Sequence, residues 1–147
     1  MDENKIKGTL FGLTFLLSQK WQTMGDRFLA PSQITTKQWL LLAAMDTLGE
    51  KPATLKDITE VFGTSRQNVK QIALGLEKHG FIKISRDVSD KRVLRFEITD
   101  TCRQFWSERT ETDRNYVEDL FTGLTSEELE ITLRSMTTLF ENTRSHS

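Results

Sequence analysis

Residues 54–98 read TLKDITEVFGTSRQNVKQIALGLEKHGFIKISRDVSDKRVLRFEI, and the hydrophobic period changes once within that stretch. Thr54-Leu55-Lys56-Asp57 sets a hydroxyl cap ahead of an acidic third position, a close variant of the capping box. Leu55, Ile58, Val61 and Phe62 then form an inward face, and Gly63 closes the helix. Thr64-Ser65 caps a second helix whose buried stripe is Val69, Ile72, Ala73 and Leu76 and whose stop is Gly80. Two helices (about 54–79) joined by a tight turn at Gly63-Thr64 make a helix-turn-helix. Beyond Gly80 the period drops from near 3.6 to 2. Ile82 and Ile84 alternate with polar neighbours, as do Leu94, Phe96 and Ile98, so each run reads as a strand with one buried face. Between them, Arg86 to Arg92 is a polar hairpin tip. A two-stranded ribbon at about 81–98, directly after a helix-turn-helix, is a wing.

Working outward, Ile6, Leu10, Leu13, Leu17, Trp21, Met24 and Phe28 recur at helical spacing, and Phe11, Phe15 and Leu16 widen the stripe. A helix this apolar must be covered on more than one side. Pro31-Ser32 ends it, and a second helix, from about Thr36 to Leu48, is apolar almost all round and therefore central. After the wing, a helix from Asp100 to about Phe121 carries apolar residues only at its two ends, as a strut joining two separately packed regions would. Thr125 and Glu128 box the start of a last helix, with Leu124 and Leu129 placed as its hydrophobic staple. Leu129, Leu133, Met136 and Phe140 then form its stripe. The fold class is mainly α with a small two-stranded β-wing.

The 147 residues, 37% hydrophobic and 28% charged, suit one compact domain. No apolar run reaches the roughly 18 residues a membrane span needs, and the N-terminus lacks the pattern of a secretory signal. One cysteine excludes an internal disulfide framework. With two histidines a metal cluster is not expected, no cofactor is implied, and the cytoplasm is the expected compartment. The net charge of −1 hides an asymmetry: residues 54–98 carry 9 basic and 6 acidic side chains, while residues 99–147 carry 5 and 10. A polyanion would meet the middle. No nucleophile–base motif or phosphate-binding glycine loop is present, which argues against an enzyme.

Leu55-Lys56-Asp57-Ile58, Ser65-Arg66-Gln67-Asn68-Val69, Leu76 to Ile82 and, above all, Arg86 to Arg92 followed by Ile98-Thr99 resemble the MarR family of bacterial transcription regulators. The resemblance covers nearly the whole chain. It implies a single domain over 1–147, a winged helix-turn-helix DNA-binding region at 36–99, and dimerisation helices at 1–30 and 100–147. Cys102 stands where members usually have glycine, and Gly75 within the recognition helix is unusual, costing about 1 kcal/mol relative to alanine.

The second helix of such a unit lies in the major groove of double-stranded DNA. Arg66 suits guanine, Gln67, Asn68 and Gln71 suit adenine, and Ser65 and Lys70 suit phosphates. At the wing tip Arg92 fits a narrow minor groove, with Lys91 and Arg86 adding phosphate contacts. The family resemblance implies that a wing aspartate, Asp90 or Asp87, holds that arginine in place. A homodimer would cover the terminal stripes and set two recognition helices about one DNA turn apart. Repression relieved by a small effector is the expected mode. Relatives often bind aromatic compounds beside the dimer region, and Phe15, Trp21, Phe28, Trp39 and Trp106 are the candidates here. Activation, redox sensing through Cys102, and a winged module that has lost DNA binding are the alternatives.

Overall fold

A computed structural model describes residues 2–49 and 51–146. Six α-helices and three short strands follow one another as α1 (Glu3–Leu29), a 3₁₀ turn (Ala30–Ser32), α2 (Thr36–Thr47), β1 (Ala53–Thr54), α3 (Leu55–Phe62), α4 (Arg66–Lys78), β2 (Ile82–Arg86), β3 (Leu94–Ile98), α5 (Asp100–Leu120) and α6 (Ser126–Arg144). The chain divides into two compact units, the first reaching to Phe105 and the second starting at Trp106. The division falls within α5, so that helix runs from one unit into the other.

Local chemistry sets most boundaries. Capping boxes start three helices: Thr54 with Asp57 opens α3, Thr125 with Glu128 opens α6, and Thr35 with Gln38 opens α2. Each box satisfies two of the backbone N–H groups that a helix start leaves without intrahelical partners. Between α3 and α4 the backbone turns through Gly63 at φ 75°, a left-handed conformation that costs other residues a Cβ clash.

The core of the first unit lies beneath the helix-turn-helix. α2 is packed by α3, α4 and β3, and the end of α1 lies against it. Leu41, Leu42 and Met45 from α2, Ile58 from α3, Val69, Ala73 and Leu76 from α4, and Ile82 and Phe96 from the sheet are buried together with Leu29. Two residues expected inward are exposed. About 100° per residue turns Val61 off the line through Leu55, Ile58 and Phe62. Leu40 likewise lies on the side of α2 away from Leu41 and Leu42.

The sheet has three strands rather than the expected two. Their order is β1-β3-β2, with both pairings antiparallel: Ala53 opposite Phe96 and Thr54 opposite Arg95 on one side, Ile82 opposite Ile98 and Ile84 opposite Phe96 on the other. β3 is therefore central, and the wing is stitched directly to the residues that cap α3. The outward N–H of Ile84 on the edge strand β2 donates to Glu77 Oε2 at 2.8 Å, tying the end of α4 to the wing. Thr99 performs the same service for α5: its hydroxyl donates to the Gly80 carbonyl at 2.6 Å and accepts from Cys102 N at 3.3 Å.

The start of α2 is a crowded junction. The Thr36 hydroxyl donates to the Gln22 carbonyl at 3.1 Å, and the Thr36 N–H donates to Asp26 Oδ1 at 2.8 Å, both from α1. A Cβ at Gly25 would collide with the Thr36 hydroxyl, and one at Gly75 would lie 2.5 Å from Gln38 Nε2. That second approach accounts for a glycine inside α4: the helix gives up propensity so that the Gln38 side chain can lie against it.

The two ends of the chain differ from this. Residues 3–20 of α1 are exposed throughout, including Phe11 at 70% and Leu13 at 53%, and Phe11 meets Phe15 edge-on at 5.0 Å. Every described residue of α6 is exposed as well, with Leu133 at 70%. Among the described residues no helix is long and apolar enough to cross a membrane.

Candidate nucleic-acid interface

The first turn of α4 is built to present polar groups. Ser65 caps it, its hydroxyl accepting from Asn68 N at 3.2 Å, which leaves the Ser65 O–H proton available to an outside acceptor. Arg66, Gln67, Lys70 and Gln71 are exposed on this helix, while Val69, Ala73 and Leu76 bury its other face. Asn68 is half-buried, and its side-chain amide donates to Thr64 Oγ1 at 3.1 Å, so part of its hydrogen-bonding capacity serves the turn. No acidic residue lies between Thr64 and Leu76. The helix N-terminus adds its own positive end to that of the cations.

The wing tip is ordered by its two aspartates, each with its own arginine. Asp90 takes Arg92 in a fork, Arg92 Nε to Oδ1 at 3.1 Å and a terminal guanidinium nitrogen to Oδ2 at 3.2 Å, while Oδ1 also accepts the Arg92 backbone N–H at 3.1 Å. Asp87 pairs with Arg95 instead, Nε to Oδ1 at 2.9 Å. Its other oxygen accepts the N–H groups of Ser89 and Asp90, both at 3.0 Å. Of the two aspartates, then, Asp90 orients Arg92, and Asp87 shapes the turn that carries Asp90. Arg86 donates to the Lys91 carbonyl at 2.8 Å, bracing the hairpin across its mouth. The Arg92 side chain is 91% exposed, held only along one edge.

The electrostatics follow the geometry. The hydrogen bond from Arg95 holds the Asp87 carboxyl below its ordinary range, helped by the backbone N–H groups of Asp90 and Ser89. Arg92 does the same for Asp90, against a small opposing push from the Asp87 charge. Both aspartates are thus ionised at neutral pH, and each arginine is neutralised on its inner side alone.

A sequence model of the MarR family matches residues 32–93, a span that holds the helix-turn-helix and the wing tip. Over that span the winged region is similar to the MarR family. The chain is 24% identical over 122 residues to the HTH-type transcriptional regulator PapX of Escherichia coli, covering 83% of this chain and 74% of PapX. The transcriptional regulator BldR from Sulfolobus solfataricus shares the fold with a TM-score of 0.84 at 19% identity, over 97% of this chain and 99% of BldR. The MepR protein of the S. aureus MepR–DNA complex matches with a TM-score of 0.77 at 20% identity, over 88% of this chain and 95% of that one.

Arg95 reads in the sequence only as the outward residue of an alternating strand. Its signal is visible only in retrospect, as a cation eight positions beyond Asp87 across a hairpin. The aromatic residues expected to hold an effector are less gathered. Phe15 is 59% exposed, Trp21, Phe28 and Trp39 are half-buried in the first unit, and Trp106 belongs to the second. An open hollow of about 450 Å³ beside α1 is lined by Leu16, Gln19, Lys20, Thr23 and Met24, none of them from that set. Cys102 is fully buried, and burial pushes its thiol up to about 11, with Asp46 adding to the rise and Arg103 opposing it. Almost no thiolate, the reactive form, is present at neutral pH, which removes support from redox sensing.

Proposed function

We propose that this protein is a MarR-family transcriptional regulator that binds double-stranded DNA as a homodimer, with residues 36–99 as the DNA-binding region and the helices at 1–30 and 100–147 as the dimerisation region. α4 enters the major groove, where Arg66, Gln67, Asn68 and Gln71 meet base edges and Ser65 and Lys70 meet phosphates. The wing tip reaches the adjacent minor groove with Arg92, flanked by Lys91 and Arg86. The observation that carries this reading is the pairing of a cation-bearing helix start, free of acidic residues, with a nearly fully exposed Arg92 clamped at a hairpin tip. An ordinary surface ion pair has no need of a fork, two backbone donors and a braced turn. PapX is itself named a transcriptional regulator and MepR is seen with DNA, which supports the same conclusion.

The dimer accounts for the exposed apolar stripes of α1 and α6. Burying each large apolar side chain contributes about 1.5–3 kcal/mol, and a two-fold interface counts each contribution twice. The operator is then a pseudo-palindrome with half-sites about 10 bp apart, and repression in the cytoplasm, relieved by a small aromatic effector near the dimer region, completes the reading.

Sequencing of genomic fragments retained by the purified protein identifies the operator, and fluorescence anisotropy then measures its affinity. Binding weakens steeply as salt rises, through counterion release. Arg92→Ala weakens operator binding by roughly tenfold or more, the loss of one well-placed guanidinium. An unchanged titration removes the wing from the mechanism, and indifference to every duplex at low salt removes DNA binding altogether.

A further inference from the structure

Arg92 holds an exposed position that only its neighbours can keep, and those neighbours trace back to one residue outside the tip. Arg95 lies on the central strand, opposite Thr54 of β1 and Ser85 of β2, so its backbone is fixed from both sides. Its side chain is 36% exposed and that of Asp87 21%, against 91% for Arg92. From that protected site Arg95 reaches two ways: Nε to Asp87 Oδ1 at 2.9 Å, and a terminal nitrogen to the Pro52 carbonyl at 3.4 Å, just ahead of the strand that caps α3.

Asp87 passes the constraint on. Its second oxygen accepts from the Ser89 and Asp90 N–H groups, and the Asp90 carbonyl accepts the Val93 N–H at 2.9 Å, which closes the turn. The Asp90 carboxylate then grips Arg92. Without Arg95, Asp87 would lose its charged partner, and its negative charge, which already acts on Asp90, would no longer be offset.

We propose that Arg95 is the positioning residue of the wing, fixing Asp87 and through it Asp90, so that Arg92 is presented to DNA at an angle set by the helix-turn-helix scaffold. This rests on the DNA-binding reading above, and it assigns Arg95 no contact with DNA.

Arg95→Gln, which keeps a polar side chain and removes the charge, weakens operator binding roughly tenfold, in the range of strongly coupled neighbours. Asp87→Asn has a similar effect. The decisive measurement is the cycle with Arg92→Ala: once Arg92 is gone, Arg95→Gln costs nothing more. A full, additive cost in that background would make Arg95 a direct phosphate contact and overturn the proposal. A second readout needs no DNA: amide protons of Ser89 and Asp90 exchange at least about fivefold faster in Arg95→Gln while the core amides of α4 keep their protection. Unchanged exchange at those two amides overturns the proposal as well. If wild-type protein ignores duplex DNA, the DNA-binding reading fails, and the exchange measurement still decides what Arg95 does to the tip.

Discussion

The winged unit and the terminal helices use the same apolar residue types to opposite ends. In the first, Leu41, Leu42, Ile58, Val69, Leu76 and Phe96 are all but inaccessible to water, and the chain covers them with its own neighbouring helices and strands. In α1 up to residue 20 and throughout α6, Leu13, Phe15, Leu133 and Leu139 keep more than half their surface open. Composition therefore does not separate the two regions; topology does. Helices about two to four turns long that are connected by tight turns fold back on one another, whereas α1 runs about 40 Å at the usual rise per residue. The first region buries its own apolar face, and on the proposed reading a second copy covers the other.

The sharpest way to break that contrast is Leu133→Glu. In a two-fold dimer it removes two buried leucines and adds two charges, and dissociation strengthens by at least about a hundredfold in analytical ultracentrifugation. The near-ultraviolet spectrum of the winged unit stays as it was. If the variant remains dimeric, α6 is not the interface. Phe96→Ala tests the other side: a fully buried ring on the central strand is lost, and urea denaturation gives about 3–5 kcal/mol less stability. A cost below about 1 kcal/mol would mean that the winged core is far looser than its burial implies.

Caps sharpen the contrast from another direction, because they are local devices and indifferent to what surrounds the helix. Thr54→Ala and Thr125→Ala should therefore cost alike, about 1 kcal/mol each by thermal denaturation, although one helix is packed and the other is open. Gly75→Ala is expected to do least. Alanine regains about 1 kcal/mol of helix propensity, while the new methyl displaces Gln38 from its cap at a similar cost. A net change within about 0.5 kcal/mol marks the two as offsetting, and a full gain would show that Gln38 moves aside freely.

What was legible in the chain was what neighbours in sequence decide. The boxes at Thr54 and Thr125, the stop at Gly63, the change of period at Gly80 and the polar face of α4 all depend on residues within one turn of one another, and each is in place. β1 escaped notice because two residues after a proline carry no alternation to detect, and only their pairing with Phe96 and Arg95 makes them a strand. Gly75 looked out of place until Gln38, 37 residues earlier, came against it. At the wing, the sequence offered Asp90, with Asp87 as the alternative, as the partner of Arg92. The hairpin decides between them by bringing Arg95 across to Asp87. Long-range pairings of this kind are the part that spacing alone cannot supply.

One contact bears on what the protein avoids. β2 is an outer strand, and an outer strand ordinarily offers its free backbone groups to any stray segment of similar shape. The Glu77 carboxylate occupies the outward donor at Ile84, midway along β2. A strand adding to this side of the wing would first have to displace that carboxylate.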